Sequence, residues 1–505
     1  MKKRQIFSDG DRDFFRLLDQ AATTNPFTDA YTELQLRIAG CAPEVPPERR
    51  LAMMAAKVGE KVRGLEELVR PDARRLAGQD RQLLERAYLF DSYHRFLGPL
   101  DRHIAEQAAA GEQPVPVRVA GDVCALLRSR GFSPEEAEQY LAIFHQLRRA
   151  FFFIDRSLVG RSESMKRLRR RLWNNVFTND IRLYEKHLWN RMEDFSTMLL
   201  GETGTGKGAA AAAIGRSGFI PFDGRRGAFV ESFVGSYRAL NLSQFPESLI
   251  ESELFGHRKG AFTGAVEAHE GMLARSSAYG SIFLDEIGDV SEPIQIKLLH
   301  VLQDRDFSPV GSHEKRRFHG RIIAATNRPL SALRHNGRFR DDFYYRLCSD
   351  IIAVPPLRLR IRENPAEMDD LVSLIVRRIS ADTSPEILVR VRRSLAASPG
   401  ADYGWPGNVR ELEQAVRRIL LVGAYGGDTP TAPPDLQSVL QSGIASGGLD
   451  AESLLAGYCA LLYARHATYE EVARRAGLDR RTAKAYIRKY RASGETGGPD
   501  AGTHS

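Results

Sequence analysis

Apolar residues recur at helical spacing through the first part of the chain. The spacing is clear from Phe14 to Leu18 and from Leu83 to Leu97, and it is typical of amphipathic helices. Ser133-Pro-Glu-Glu136 has a capping serine, a proline in the first turn and acids at the positive helix end, so it predicts a helix start. We expect this helix to continue through Phe151–Phe153 toward the next domain. Residues 1–154 are therefore predicted to form a helical regulatory or sensor domain.

The pattern changes after this helical region. Over residues 155–365, short apolar runs alternate with helical stretches, which indicates a parallel α/β sheet. Helical spacing returns over 366–423, where we expect a helical lid. Residues 424–450 are rich in Gly, Ser and Pro and are predicted to be a linker. Further helices are expected over 451–491, and a disordered tail over 492–505.

A phosphate-binding loop is predicted inside the α/β region. Gly201 to Lys207 has the spacing G-x-x-x-x-G-K, after the apolar run Phe195–Leu200 and before a helix expected over Ala209–Ile214. Glycines allow successive N–H groups to turn toward an anion, and Lys207 would neutralise the β- and γ-phosphates. An ordinary glycine turn is the alternative for this motif taken alone. The residues predicted to bind nucleotide here are Gly201, Glu202, Thr203, Gly204, Thr205, Gly206, Lys207 and Gly208.

An acidic pair supplies the second half of a nucleotide-hydrolysing site. Ser281–Leu284 reads as a buried strand, and Asp285 and Glu286 follow it directly. Ligands gather at the carboxyl ends of parallel strands. Asp285 is predicted to hold Mg²⁺, and Glu286 to polarise the attacking water. Together with the glycine loop, this pair predicts hydrolysis of a nucleotide.

Composition narrows the class of protein. The 505 residues carry a formal net charge of +8, which favours a polyanionic partner. The four cysteines, at 41, 124, 348 and 459, are scattered without C-x-x-C spacing, which argues against a disulfide framework or a cysteine metal site. No signal peptide and no apolar run of membrane-spanning length is recognised. A cytoplasmic protein without membrane contact is the expectation.

A loop rich in glycine carries an aromatic residue at its tip. Gly260 and Gly264 flank Ala-Phe-Thr, so the backbone can turn tightly with Phe262 outward. An exposed phenylalanine loses burial energy unless a partner covers it. Alternatively, Phe262 tucks into the core of its own loop.

The loop resembles a family signature. Gly260–Ala265 reads GAFTGA, the signature of bacterial enhancer-binding proteins, the AAA+ activators of sigma-54 RNA polymerase. The resemblance covers residues 159–423 and continues in order. Its further segments are Pro246–Gly256 leading into the loop, Ala324–Pro329 as the sensor I strand end, Phe339–Leu347 with two trans-acting arginines, and Gly404–Leu412 as the start of the sensor II helix.

The resemblance implies a role for each matched residue. Asn327 would position water or sense the γ-phosphate, and Asn241 would hold Glu286 away from the water until the nucleotide state changes. Arg340 and Arg346 would act on the nucleotide of a neighbouring subunit. The further nucleotide-binding residues implied are Val159, Gly160 and Arg410. The residues implied to contact sigma-54 are Gly260, Ala261, Phe262, Thr263, Gly264 and Ala265. The resemblance also implies that the chain binds ATP and Mg²⁺ and assembles into a ring, which is expected to be a hexamer.

The sequence departs from the family pattern in four ways, one of which is Arg258 at a position that is often acidic. Gly208 stands where a side chain usually contributes near Mg²⁺, and it offers none. The five alanines that follow it give a helix with little side chain to pack. The stretches before Gly201 and between Lys207 and Asn241 are longer than is usual in the family.

The last helical region predicts a helix-turn-helix. Ala473 and Gly477 have the spacing of its contact and turn, and Asp479 caps a second helix. Ala483 and Ile487 are expected to pack inward. A basic helical hairpin on a solvated surface is the alternative. The predicted DNA-binding residues are Arg480, Arg481, Thr482, Lys484 and Arg488.

The predicted fold is therefore a helical N-terminal domain, a central AAA+ P-loop ATPase with a helical lid, and a C-terminal helix-turn-helix. The predicted function is ATP-dependent activation of sigma-54 RNA polymerase from upstream double-stranded DNA. Two alternatives stay open, a nucleotide-sensing DNA-binding regulator without coupling to polymerase and an AAA+ remodeller of another partner. The sequence does not identify the signal or partner of the first domain.

Overall fold

A computed structural model describes residues 7–69, 78–380, 385–400, 403–427, 436–446 and 449–494. The chain divides into two compact units, Met1–Gly426 and Gly427–Ser505. Across the described ranges, no helix combines the length and the apolar character needed to cross a membrane.

Helices build the N-terminal part of the first unit, as predicted. Serine caps start two of them, since Ser8 and Ser133 each accept a bond from the N–H three residues on, and the acids Asp11 and Glu136 bond back. The helices are α1 (Asp9–Thr23), α2 (Asp29–Ala39), α3 (Pro47–Val69), α4 (Gln79–Arg95), α5 (Leu97–Ala110), α6 (Ala120–Ser129) and α7 (Pro134–Ser157).

Helix α7 joins the N-terminal helices to the α/β region. Its 24 residues run across the predicted boundary at 154/155. Its buried side chains, such as Leu141 and Phe153, share one apolar core with residues of the central sheet, including Leu199 and Phe283. The chain up to Gly426 is accordingly one compact unit, although the finer domain boundaries remain predictions.

The centre of the described chain is a parallel sheet of five strands in the order β4-β5-β8-β1-β9. Most of its apolar residues are buried on both faces, as expected of strands covered by helices. The strands are β1 (Thr197–Leu200), β4 (Tyr237–Asn241), β5 (Ser281–Asp285), β8 (Arg321–Thr326) and β9 (Asp350–Ala353), with the small antiparallel pairs β2 (Phe222–Asp223) and β3 (Ala228–Phe229), and β6 (Asp306–Phe307) and β7 (Arg316–Arg317).

Helices cover the sheet and extend into a helical region after it. Around the sheet lie α8 (Glu163–Phe177), α9 (Ile181–Leu183), α10 (Lys207–Gly215), α11 (Glu247–Phe255), α12 (Glu292–Asp304), α13 (Leu330–His335), α14 (Asp341–Leu347) and α15 (Leu357–Glu363). After them come α16 (Ala366–Ser380), α17 (Pro385–Ala397) and α18 (Asn408–Val422), which share their own apolar core.

The alanine run of α10 packs more closely than the sequence suggests. Ala210, Ala211 and Ala213 are buried in the core shared with α7 and α8. Small side chains let neighbouring helix backbones approach, so the poor packing expected of this helix is not observed. Gly215 has the same effect, because a Cβ there would stand 2.3 Å from the Tyr237 ring.

The second unit is helical in its described part. It contains α19 (Leu436–Ser446), α20 (Ala451–His466), α21 (Tyr469–Ala476) and α22 (Arg480–Gly494). Helix α19 falls within the stretch predicted to be a linker. Residues 495–505 of the predicted disordered tail lie outside the described residues.

Candidate active site

The glycine loop connects β1 to α10 and is folded as a cradle. Gly204 and Gly206 have φ values of 78° and 103°, a region that favours glycine. Lys207 Nζ donates to the carbonyl oxygens of Gly201 at 2.9 Å and Glu202 at 3.3 Å. The lysine therefore lies folded against its own loop, at the N-terminal end of a helix, where backbone N–H groups favour an anion.

Gly208 leaves open space beside this cradle. The residue is exposed, and a Cβ built on it would meet no atom within 4 Å. A larger residue would therefore fit at this position, and sterics do not require glycine.

The acidic pair and Asn327 lie at the same edge of the sheet as the glycine loop. Asn327 donates through Nδ2 to Thr203 Oγ1 at 2.9 Å and through its backbone N–H to Glu286 Oε2 at 3.4 Å. Glu286 has a φ of 57°, which turns the backbone sharply after β5. The structure thus brings three predicted elements together: the phosphate loop, the acid and the sensor residue.

Asp285 and Glu286 are suited to a cation. Within the described chain, neither carboxylate forms an ion pair with Lys or Arg, and Asp285 Oδ1 accepts the Glu286 N–H at 3.1 Å. Carboxylate oxygens with water are the ligands that Mg²⁺ takes in such sites. The residues present therefore fit the predicted ion.

Asn241 stands beside this pair but bonds elsewhere. Its Cα is the register partner of Asp285 across β4 and β5. Its Oδ1 accepts from Ser243 N at 3.0 Å and Ser243 Oγ at 2.8 Å. In the described chain, Asn241 makes no hydrogen bond to Glu286, so the predicted contact between them is not present in this state.

The start of α18 bonds directly to the glycine loop. The Gly204 carbonyl accepts from Val409 N at 3.0 Å and from Arg410 N at 3.4 Å. A Cβ at Gly204 would stand 2.2 Å from the Gly407 carbonyl oxygen, so only glycine allows this approach. Arg410, predicted to reach the phosphates, is exposed at this contact.

Two side chains that the sequence analysis did not select hold the same contact. Asn408 Nδ2 donates to the Thr203 carbonyl at 3.1 Å and to Glu202 Oε2 at 3.2 Å. Arg358 pairs with Glu202, and its NH1 lies 2.6 Å from Oε2. This pairing lowers the pKa of Glu202. The position of Asn408 in the matched Gly404–Leu412 segment was the available signal.

Val159 and Gly160 lie where the first helices meet the lid. The Val159 carbonyl accepts from Arg360 at 2.7 Å, and that of Gly160 from Arg169 at 2.8 Å. Arg360 also pairs with the buried Glu367 at 2.7 Å. Burial alone would raise the pKa of Glu367, but bonds from Ser162 and Arg360 outweigh it and lower that pKa. This network fixes the predicted nucleotide-binding segment to the lid.

The two predicted trans-acting arginines lie at α14, away from the glycine loop of their own chain. Arg340 pairs with Glu292 at 2.6 Å and Asp342 at 2.8 Å. Arg346 is exposed, and its Nε donates to the Leu302 carbonyl at 3.0 Å. In the described chain, neither guanidinium bonds a residue of the glycine loop.

The GAFTGA loop is folded as a closed turn. Gly260 N bonds to the Ala265 carbonyl at 2.8 Å, and Gly260 and Gly264 have positive φ values of 80° and 102°. Phe262 is 37% exposed, and its ring meets that of His257 edge-on at 4.9 Å. The phenylalanine is neither fully outward nor in a core, since one neighbouring ring covers part of it.

The loop is linked to helix α11 through His257. The Ser252 hydroxyl lies 2.6 Å from His257 Nδ1, and His257 Nε2 lies 3.0 Å from the Glu267 carbonyl. Thr263 is exposed at the tip. A movement of α11 would therefore reach the loop through a short path.

Basic side chains in the second unit are exposed around a packed pair of helices. Asp479 accepts from Arg481 N at 2.8 Å and Thr482 N at 3.0 Å, and so caps α22. Ala483 and Ile487 are buried. Four of the predicted DNA-binding residues are exposed: Arg480, Arg481, Lys484 and Arg488. The hydroxyl of the fifth, Thr482, donates to Asp479. Arg480 also pairs with Glu470 at 3.0 Å.

Comparison with known proteins finds similarity in the centre of the chain. Residues 178–352 match the sigma-54 interaction domain. The chain is 39% identical over 231 residues to the hydrogenase transcriptional regulatory protein HoxA of Cupriavidus necator, covering 46% of this chain and 44% of that protein. It is 38% identical over 262 residues to the DNA-binding transcriptional regulator NtrC of Azospirillum brasilense, covering 52% and 47%. The chain thus spans about half the length of the curated relatives it matches.

A solved structure covers more of the chain at lower similarity. NtrX from Brucella abortus overlaps 74% of this chain and 80% of its own, with 22% sequence identity and a TM-score of 0.39.

Proposed function

Because residues 178–352 match the sigma-54 interaction domain, we propose that this chain is an ATP-dependent transcription activator that remodels sigma-54 RNA polymerase from an upstream DNA site. One observation carries the proposal: Asn327 bonds both to Thr203 in the glycine loop and to Glu286. A phosphate cradle, a general base and a γ-phosphate sensor are thereby brought into one site.

ATP binding is assigned to the glycine loop. The backbone N–H groups between Gly201 and Lys207 receive the phosphates, and Lys207 exchanges its carbonyl contacts for phosphate oxygens. Asn408 and the backbone of Arg410 transmit the state of the loop to the lid through their bonds to Thr203 and Gly204. Val159 and Gly160 line the nucleotide on the side of the N-terminal helices.

Hydrolysis is assigned to Glu286 and Asn327. Glu286 takes a proton from the attacking water, and Asn327 orients that water. Asp285 would hold Mg²⁺, which offsets charge on the phosphate oxygens when it is bound. Arg340 and Arg346 are assigned to the site of a neighbouring subunit; among the described residues, neither bonds the glycine loop of its own chain, which is consistent with that assignment. A ring, which we propose to be a hexamer, would complete each site.

Coupling to polymerase follows the chain from Asn241 to the GAFTGA loop. Asn241 ends β4 beside Asp285, and the chain continues through α11 to His257 and the loop. A switch of Asn241 from Ser243 to Glu286 would shift α11 and raise Phe262 and Thr263 toward sigma-54. Upstream DNA would be bound by the basic face of α22.

The deciding experiment measures ATP turnover of the full chain against its concentration. We expect turnover to rise cooperatively, because each site needs an arginine from a neighbour. Glu286→Gln should bind ATP but lower turnover by about 10² to 10⁴-fold. Glu247→Gln, an exposed acid on α11, is the matched control and should leave turnover unchanged. Concentration-independent turnover, or an active Glu286→Gln, would refute the proposed site.

A second experiment separates activation from nucleotide sensing and from remodelling of another partner. The full chain with ATP should open a sigma-54 promoter in a purified transcription system. DNA binding should weaken with salt, and Arg481→Ala should reduce the slope by about one phosphate contact. If the chain hydrolyses ATP and binds DNA but does not open the promoter, the DNA-binding regulator without coupling to polymerase is favoured. If the chain does not bind DNA, the AAA+ remodeller of another partner is favoured.

A further inference from the structure

Helix α7 contacts the end of α10 opposite to the phosphate loop. Arg149 NH1 donates to the Arg216 carbonyl at 2.8 Å, and NH2 to the Gly218 carbonyl at 2.8 Å. Gln146 Nε2 donates to the carbonyl between them, that of Ser217, at 2.9 Å. Three consecutive carbonyls after α10 thus each receive a donor from α7.

These bonds hold the turn that directly follows α10. The three carbonyls belong to Arg216, Ser217 and Gly218, beyond the last residue of the helix, and a cation at this end also suits the partial negative charge of a helix C-terminus. Arg149 is fully buried, and no carboxylate pairs with it in the described chain. Its guanidinium is therefore held by carbonyl oxygens directly after α10.

Side-chain packing makes the contact rigid. The buried alanines of α10 belong to the core that contains Leu141 and Phe153 of α7. Arg149 also lies over the Phe233 ring at 5.5 Å, and the rings of His145 and Phe229 stack at 4.0 Å. Close-packed interiors transmit displacement instead of absorbing it.

The segment after α10 is held by the N-terminal helices as well. Val117 N bonds to the Gly227 carbonyl at 2.8 Å, and the Ser232 hydroxyl to the Gly111 carbonyl at 2.7 Å. This segment leads into β4, which ends at Asn241. The N-terminal part of the chain therefore holds the stretch between Lys207 and Asn241 at two places, residues 216–218 and residues 227–232.

We propose that Gln146 and Arg149 are positioning residues for the nucleotide site, through which the N-terminal helices set the ATP affinity of the ATPase. Lys207 begins α10 and the α7 contacts end it, so a shift of α7 along α10 displaces the lysine and the loop. The contacted carbonyls lie between Lys207 and Asn241, in the stretch that is longer than is usual in the family the sequence resembles. The inference rests on the proposed function, because it assumes that the loop binds ATP.

The test compares neighbouring residues of α7 in the full chain. Arg149→Met removes the bonds to the turn after α10, whereas Arg148→Met removes two bonds to Asp101, one of them 2.7 Å long, within the N-terminal helices. Two readouts are used: amide hydrogen exchange of α10, and the Kd of a fluorescent ATP analogue. Both are measured well below the melting temperatures of the variants.

We expect Arg149→Met to speed exchange at the C-terminal turn of α10 and to raise the analogue Kd about five- to tenfold, the effect of one or two lost hydrogen bonds. Arg148→Met should change neither. Arg149→Lys, which keeps a cation and a donor, should recover part of the affinity. If Arg149→Met does not fold, Gln146→Met takes its place.

If Arg149→Met and Arg148→Met bind the analogue with equal affinity, and the unsubstituted chain binds it normally, this inference is overturned. The proposed function would not be affected. No analogue binding by the unsubstituted chain would overturn both. Faster α10 exchange in Arg149→Met with unchanged affinity would show that the contact is structural only, and this too would overturn the positioning role.

Discussion

Gly208 is the residue at which the sequence departs most directly from an efficient nucleotide site. It follows Lys207, is exposed and has open space around its Cα. We predict that Gly208→Thr lowers the Mg²⁺ concentration for half-maximal turnover about three- to tenfold, because a hydroxyl can add one ligand or one hydrogen bond near the ion. ATP turnover titrated with Mg²⁺ measures the effect.

Gly208→Ala is the control for this prediction, since it changes the backbone freedom of the helix start without adding a hydroxyl. We expect it to leave the Mg²⁺ dependence unchanged. Equal behaviour of the threonine and alanine variants would mean that this position does not face the ion.

At the residue scale, local motifs account for much of the candidate site. Lys207, Glu286 and Asn327 each follow a buried strand, so their convergence at one sheet edge could be expected from the sequence. Arg358 could not be selected in this way, because its partner Glu202 is 156 residues away. Asn241 is a second case, because the resemblance implies a contact with Glu286, whereas its side chain bonds to Ser243 in the structure.

The GAFTGA loop is the element whose function can be tested separately from hydrolysis. Thr263 is exposed at its tip and is not one of the residues assigned to hydrolysis. We predict that Thr263→Ala keeps at least about half of the ATP turnover, since it removes no group assigned to hydrolysis, but abolishes promoter opening through loss of a sigma-54 contact. Turnover and purified transcription assays are run on the same preparation.

Val266→Ala is the companion variant, because Val266 is 73% exposed just outside the motif. We expect it to retain promoter opening. Normal transcription by Thr263→Ala would remove the loop from the mechanism, and equal loss in both variants would indicate a general effect of the loop surface.

At the element scale, the sequence predicts which elements exist better than how they pack. The α7 start, β1, β5 and α10 follow from caps, apolar runs and glycines. The packing of α7 on α10 does not, because its signal was a run of alanines, which carry little apolar area and suggest weak packing. Only the structure shows that small residues serve close approach there.

At the scale of the whole molecule, the shared core of the first compact unit determines which truncated chains can fold. A chain that starts at residue 155 is cut inside α7 and loses Gln146 and Arg149 together with the core over α10. We predict that it aggregates, because the alanine face of α10 and its neighbours become an exposed apolar patch. Soluble yield and size-exclusion chromatography measure this.

A chain ending at Gly426 is the matched control, because the cut follows the division between the two compact units. We expect it to be soluble and to hydrolyse ATP. A soluble, cooperatively unfolding fragment 155–426 would contradict the shared core and show that the N-terminal helices are dispensable for folding.

The arrangement of the arginines leads to a prediction for the assembled molecule. Arg340 is held by Glu292 and Asp342, and in the described part of the chain it makes no bond to the glycine loop. Lys207→Ala disables a subunit's own site, whereas Arg340→Ala disables the site of its neighbour. Each variant alone should be inactive, but a site with Lys207 from one variant and Arg340 from the other is complete. In an equal mixture we expect about a quarter of normal turnover, since about a quarter of sites then combine both groups across subunits.

The measurement is the ATP turnover of mixtures at fixed total protein concentration. An Arg338→Ala chain in place of Arg340→Ala is the control for loss of a nearby cation. A mixture that stays inactive while each variant still binds ATP analogue or assembles normally would place Arg340 outside the shared site.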